Sequence, residues 1–136
     1  MKNATPYLFF NGNCRQALDF YKKVFGGELH VMTYADAPKE AGAGNMPEEM
    51  KSKVMHAKLT RGNFGFMASD TTEGANFGDN VYLCVDCESV AEIETLFKSL
   101  SEKGKVEMPL NDTFWGARFG TITDQFGIGW MLNFQK

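Results

Sequence analysis

Apolar residues follow two periodicities along the chain, and the order of those periodicities occurs twice. Ala17, Phe20, Tyr21 and Val24 have the i, i+3, i+4, i+7 spacing that lays one apolar stripe on a helix. Ile93, Leu96, Phe97 and Leu100 repeat it 76 positions later. Each stripe follows a helix start. Asn13-Cys14-Arg15-Gln16 offers an N-cap acceptor with a residue three later able to reach back, and Ser89-Val90-Ala91-Glu92 is the stricter Ser-x-x-Glu box. Each stripe also runs into lysine and then glycine. Lys22-Lys23 precede Gly26-Gly27, and Lys98 and Lys103 precede Gly104, as the helix dipole and a left-handed C-cap favour.

The segments around the helices have strand character. Tyr7 to Phe10 and Val81 to Val85 stand before them; Glu28 to Tyr34, Val54 to Thr60 and Phe64 to Ser69 follow the first, and Val106 to Met108, Ala117 to Thr123 and Gly129 to Phe134 follow the second. Each half therefore reads β-α-β-β-β. The closing strands match as well, Phe64-Gly65-Phe66-Met67 against Ile128-Gly129-Trp130-Met131, but at an offset of 64. The first half thus carries an insert, which the Ala, Gly, Pro and Glu content places at Ala35 to Met50 as a loop with a turn of helix from Pro47. The turn formers of Asp70 to Asn80 mark the linker between halves. The predicted fold class is α+β, with one module over residues 1–72 and a second over residues 79–136, forming a single domain over residues 1–136. In such an arrangement the helix-facing sides of the sheets make the core, and the other sides enclose a cleft.

Composition narrows the functions open to this fold. Seventeen acidic against fourteen basic residues give a net charge of −3, so there is no basic field for nucleic acid. No apolar run approaches the roughly 20 residues needed to span a bilayer, and the N-terminus has no signal-peptide core. The expected setting is the cytoplasm without membrane contact. Three cysteines, an odd number in a chain large enough to fold without staples, agree with that reducing compartment.

Several stretches carry a family likeness: Pro6 to Cys14, Lys53-Val54-Met55-His56-Ala57, Met67-Ala68-Ser69-Asp70, Phe114-Trp115-Gly116 and Thr123 to Met131. Together they resemble the PhnB-like family, often labelled demethylubiquinone methyltransferase-like, within the vicinal oxygen chelate superfamily of glyoxalase I, extradiol dioxygenases and bleomycin-resistance proteins. The resemblance spans the whole chain and implies two tandem βαβββ modules in the glyoxalase/bleomycin resistance-like fold, usually as a homodimer. Metal-dependent members of the superfamily place His or Glu ligands on the first and last strand of each half. The matching positions here are Thr5 or Pro6, Asn80 to Tyr82, Met67 and Met131, none of which is an imidazole or carboxylate. No metal and no cofactor is therefore expected. Gly42-Ala43-Gly44 lies in the insert rather than between a strand and a helix, so no dinucleotide fingerprint is present, nor the Gly-rich first turn that a methyl-donor site normally uses.

The chemistry-bearing residues are few. If Met55, Ala57 and Leu59 face the helix, alternation turns Val54, His56 and Lys58 to the cleft. His56 is then a candidate acid or base, or a donor to a ligand oxygen; equally, it can be held by backbone or by a neighbour such as Asp70. His30, beside Leu29 and Val31, reads as structural or solvent-facing. Tyr7, Phe9, Phe66, Met67, Phe114, Trp115, Phe126, Trp130 and Met131 lie on strands or loops that rim the cleft, with about half expected in the core. The predicted ligand-binding set is Tyr7, Phe9, His56, Lys58, Met67, Trp115, Trp130 and Met131. Arg118 either holds a ligand anion or pairs with Asp124, the pairing being the better reading. Cys84 and Cys87 have CxxC spacing at a strand-to-helix junction, but Cys84 is expected buried and the companions of a redox motif are missing. Cys14 stands where a helix N-terminus can favour a thiolate, but no partner is visible and an incidental role is the better reading.

The sequence thus points to a protein binding a small, largely apolar molecule in an aromatic cleft without a metal, with His56 its one candidate catalyst. Two other readings stay open: a sequestering protein whose acidic charge takes up a cationic drug, and a metal-dependent lyase, isomerase or dioxygenase with an unusual ligand set.

Overall fold

The computed structural model describes residues 1–37 and 47–136, so the middle of the insert expected over Ala35 to Met50, residues 38–46 with Gly42-Ala43-Gly44, lies outside the described residues. The backbone divides into two compact units, Met1–Asn76 and Phe77–Lys136. The first contains β1 (Tyr7–Phe10), α1 (Cys14–Phe25), β2 (Glu28–Thr33), β3 (Val54–Arg61) and β4 (Phe64–Asp70). The second contains β5 (Leu83–Asp86), α2 (Val90–Leu100), β6 (Lys105–Asp112), β7 (Ala117–Thr123) and β8 (Gly129–Gln135). Each unit is one helix on one four-stranded mixed sheet, ordered β1-β4-β3-β2 and β5-β8-β7-β6. In each the first strand runs parallel to the last and the other pairs are antiparallel. No helix among the described residues is long and apolar enough to cross a membrane.

The strand limits differ from expectation mainly in the second unit. β5 begins two residues late because Val81 is exposed. β6 extends to Asp112 through Pro109, which an edge strand with two irregular registers tolerates. In the first unit a 3-10 turn over Tyr34–Asp36 ends β2, with Asp36 accepting from the Thr33 backbone N–H and hydroxyl, and a 3-10 turn over Glu48–Met50 follows Pro47.

The helix stripes bury as amphipathic helices do, with one rotation. In α1 the buried set is Cys14, Ala17, Leu18, Tyr21 and Phe25, so Leu18 and Phe25 take the places expected of Phe20 and Val24. Tyr21 meets Phe66 edge-on at 5.5 Å between ring centroids, and Phe25 meets Phe64 at 4.6 Å. In α2, Ile93 and Leu100 are fully buried and Leu96 and Phe97 half-buried. The two N-termini are capped differently. Ser89 Oγ accepts from the Glu92 N–H at 3.0 Å, and Glu92 Oε1 accepts from the Glu88 N–H at 2.9 Å. Asn13 makes no side-chain cap at all.

The missing cap of α1 comes from the far end of the unit. Asp70, the last residue of β4 and 2% exposed, accepts from the N–H groups of Gly12 and Cys14 through Oδ1 and from the N–H of Val54 through Oδ2, each at 2.9 Å. One buried carboxylate therefore holds the turn before α1 and the start of β3 to the end of β4. Asp70 is thus part of the packed unit rather than the start of a linker.

A second recurring device closes the turn after each helix. A side chain at Gly27 or Gly104 would run into the backbone oxygen of Thr60 or Thr123, 2.7 Å away in the second case. Glycine at both places lets the chain leave the helix flat against the neighbouring strand. In the second unit the left-handed residue is Lys103, at φ 57°, rather than Gly104.

Asp70→Asn keeps the shape of the side chain but replaces one acceptor with a donor that faces a backbone N–H. It is expected to destabilise the protein by roughly 2–3 kcal/mol, the worth of a hydrogen bond to a charged group. Urea unfolding checks this, and an unchanged midpoint would contradict the capping role.

Candidate functional site

Strand pairing sorts the side chains of the first sheet onto two faces. Tyr7 pairs with Met67, Met67 with Lys58, and Lys58 with His30, so these four lie in one row across the sheet. Met32 pairs with His56, and Phe9 with Ser69, on the same face. Phe10, Ala57, Leu59, Phe66 and Ala68 occupy the alternate positions and are buried on the helix side. The face away from α1 therefore carries Tyr7, Phe9, His30, Met32, His56, Lys58 and Met67.

One element breaks the alternation. β3 has a register shift opposite Met32 and Thr33, where Thr33 pairs with Val54 and Met32 with His56. Met55 is the extra residue of this bulge. Val54, expected on the cleft side, is returned by it to the core, where it is 1% exposed. From His56 onward the alternation is regular, and His56 and Lys58 point away from the helix.

His56 is half-buried with its Nδ1 3.4 Å from the Tyr7 hydroxyl and its ring 5.9 Å from the Tyr7 ring. Tyr7 in turn lies 5.0 Å from Phe9, which is 52% exposed. Asp70 is not the partner of His56, because its two oxygens are occupied by backbone N–H groups. Tyr34 closes the same end of the face, donating from its hydroxyl to the Asp70 backbone oxygen at 3.0 Å. Burial first, then the charges of Asp70 and Tyr7, push its phenol pKa up, so it stays a neutral donor. His30 and Met32 joined this face unannounced, although the alternation Glu28, His30, Met32 against Leu29, Val31 carried the signal. Tyr34, in a 3-10 turn, had none.

The second unit receives the rest of the expected set and divides it. Trp130, expected at the cleft, is fully buried, and its indole Nε1 donates to Asp124 Oδ2 at 2.8 Å. Asp124 Oδ1 also accepts from the Phe126 and Ile128 N–H groups, so it is a core acceptor rather than the partner of Arg118. Arg118 reaches Glu94 at 3.3 Å and Asp112 at 3.4 Å on the helix side. Phe66 and Phe126 are core residues as well. Met131 is half-buried on the face away from α2, paired with Thr121 and Cys84. Trp115 lies in the turn between β6 and β7, 54% exposed and edge-on to Phe114 at 5.0 Å.

The cysteines are all free thiols. The pairing of Cys84 with Met131 turns it to the open face, exposed, whereas Leu83 and Val85 take the helix side; the buried position expected for Cys84 is thereby corrected. Cys87 is buried, and its pKa is pushed up to about 12 by burial first and by the carboxylates of Glu92 and Asp86 next. Cys14 is also pushed up to about 12, by burial and then by Asp70, so the helix N-terminus does not make it a thiolate. Partial burial and Asp86 raise Cys84 more modestly.

A metal centre of the kind the superfamily resemblance brings does not fit these residues. Met67 and Met131 offer neutral thioethers, and among the described residues no three His, Cys, Asp or Glu side chains come together.

Native protein is expected to expose one thiol, Cys84, to a disulfide reagent and all three after unfolding. Because the Cys84 pKa is raised, its reaction is slower than that of a free thiol at pH 8 and accelerates as pH rises. Thiol titration with and without denaturant checks this; a rapid second native thiol would contradict the burial of Cys14 and Cys87.

Comparison with known proteins agrees with the two-unit βαβββ fold. The family described as 3-demethylubiquinone-9 3-methyltransferase matches residues 2–133. Protein PA1353 from Pseudomonas aeruginosa is 40% identical in sequence and superposes with a TM-score of 0.86 over 99% of this chain and 98% of its own. Protein YjdN of Escherichia coli (strain K12) is 34% identical over 97% of this chain and 95% of its own. A putative 3-demethylubiquinone-9 3-methyltransferase, PhnB protein, from Bacillus cereus is 27% identical with a TM-score of 0.76, covering 98% and 99% of the two chains. A glyoxalase/bleomycin resistance protein/dioxygenase family enzyme from Burkholderia phytofirmans PsJN shares the fold at 12% identity and a TM-score of 0.65, covering 98% and 100%. Two βαβββ units, the first of which turns an aromatic and imidazole-bearing sheet face away from its helix, thus belong to a chain of the PhnB-like 3-demethylubiquinone-9 3-methyltransferase family, with the glyoxalase/bleomycin resistance fold.

Proposed function

We propose that the protein binds a small, largely apolar molecule on the open face of its first sheet, without a metal, and that His56 supplies the polar contact that orients it. The observation that carries this reading is the juxtaposition of the Tyr7 hydroxyl and His56 Nδ1 beside the exposed ring of Phe9. Aromatic and thioether side chains with a few convergent polar atoms are what an adaptable apolar site requires. Four of the relevant side chains stand on strands, so the geometry is held by the sheet rather than by a loop.

The pair also defines what His56 offers a ligand. With the phenol donating to Nδ1, the ring carries its proton on Nε2 and offers a donor to a ligand oxygen; with Nδ1–H donating to the phenol, Nε2 offers an acceptor. A methyl donor has no counterpart in this arrangement: both sheets are mixed and four-stranded, whereas such donors normally sit on a doubly wound sheet.

N-phenyl-1-naphthylamine, a neutral apolar fluorophore, serves as the probe. Fluorescence titration is expected to give saturable binding, weakened about tenfold by Tyr7→Ala and by no more than about 1 kcal/mol by His56→Gln, the worth of one hydrogen bond. Lys98→Ser, on the exposed side of α2 in the second unit, should leave the affinity unchanged. Absent binding, or a loss with Lys98→Ser and not Tyr7→Ala, would overturn the reading.

We infer in addition that the chain forms a homodimer, a reading supported by the apolar surface of Phe114, which is 98% exposed, and of Trp115, and by Val106 and Met108 on edge strand β6. Sedimentation should return twice the chain mass of 15.2 kDa; a single-chain mass at micromolar concentration would contradict it.

A further inference from the structure

We propose that the molecule bound on this face is an anion, an apolar body carrying one acidic oxygen group, with Lys58 as its counter-charge. The inference rests on the reading above and adds the chemical class of the ligand.

The charge distribution carries it. The chain as a whole has a net charge of −3, yet the ammonium of Lys58 stands in the middle of the first sheet's open face with the imidazoles His30 and His56 near it, and the one carboxylate on that face, Glu28, lies at its edge. Glu28 stands at the start of edge strand β2, exposed and 3.8 Å from His30. Lys58 is on β3, an inner strand, paired with Met67 on one side and His30 on the other. Among the described residues it makes no ion pair or hydrogen bond. The two lysines that lead into the same strand are engaged, Lys53 donating to Gly12 O and Lys51 pairing with Glu48.

An ammonium in the middle of an otherwise aromatic and thioether face has consequences for any occupant. A neutral apolar molecule laid over Met67 and Tyr7 strips water from Lys58 and returns nothing. A cation meets like charge from Lys58. An anion recovers the desolvation through a charge-assisted hydrogen bond, while its apolar body covers the Tyr7 and Met67 side. The row Tyr7, Met67, Lys58, His30 is thus apolar at one end and basic at the other, spanning the four strands of the sheet. The sequestering of a cationic drug, left open by the overall acidic charge, is disfavoured by this local arrangement.

The test compares two fluorophores with the same aromatic body, 8-anilinonaphthalene-1-sulfonate and N-phenyl-1-naphthylamine, which differ by the sulfonate. The sulfonate is expected to bind at least tenfold more tightly, and Lys58→Met to shrink that difference below threefold, with Lys58→Arg restoring most of it. Lys58 is exposed, so the variants should fold, as circular dichroism will verify. Naphthalene-1-acetate and 1-naphthyl phosphate, used as competitors, tell a carboxylate preference from a phosphoryl one, and displacement by neither would overturn the proposal. Equal binding of the two fluorophores would also overturn it while leaving the neutral-probe site standing, and so would a sulfonate preference that Lys58→Met does not change. Binding of neither fluorophore would remove the underlying site and this inference with it.

Discussion

The first unit depends on one carboxylate. Asp70 accepts three backbone N–H groups from two separate stretches of chain, and without it the start of α1 has no side-chain cap. Buried N–H groups left unpaired are costly, so the end of β4, the turn into α1 and the start of β3 are held in one geometry. Because β4 and β3 are the inner strands of the sheet, that clamp also fixes the strands on which Met67 and His56 stand. Asp124 plays an analogous part in the second unit, collecting two backbone N–H groups and the Trp130 indole in the turn between β7 and β8.

With the inner strands fixed, chemistry divides by face. Positions toward the helix bury large side chains, and Trp130 shows how far this goes: its bulk and its one polar atom are both satisfied inside the core. Positions away from the helix keep Tyr7, Phe9 and Met67 accessible and bring an imidazole and an ammonium among them. The bulge at Met55 matters here, since it lets Val54 enter the core and donate to Asp70 while His56, two residues on, stays on the open face. Clamp and site thus meet on the same strand.

Periodicity and local capping chemistry were legible in the sequence because they act over a few residues. The duplicated βαβββ order, both helices, the Ser89 cap and the turning of His56 and Lys58 away from the helix all follow from spacing within one element. What was not legible depends on partners distant in the chain. Asp70 caps a helix 56 residues away, a pairing no local pattern encodes, and this displaced Asn13 from the role its position suggested. The bulge that moved Val54 is visible only in the pairing of β2 with β3. Cys84 was expected buried because its neighbours are apolar, yet alternation assigns the burial to those neighbours. Arg118 found acceptors on α2 and β6 rather than the sequence-near Asp124, whose oxygens were already taken. Trp115, expected on a strand or loop, stands in the turn between β6 and β7, exposed.

The central claim is that the open face of the first sheet is where a small apolar molecule is held. Eight methionines give the chain a set of internal reporters, and labelling their methyl carbons reads the face directly by NMR. On titration with N-phenyl-1-naphthylamine the account predicts that the methyl signals of Met67 and Met32 move together and saturate, while those of Met1 and Met50 stay in place. Saturable binding of the probe with Met67 and Met32 unmoved would contradict it.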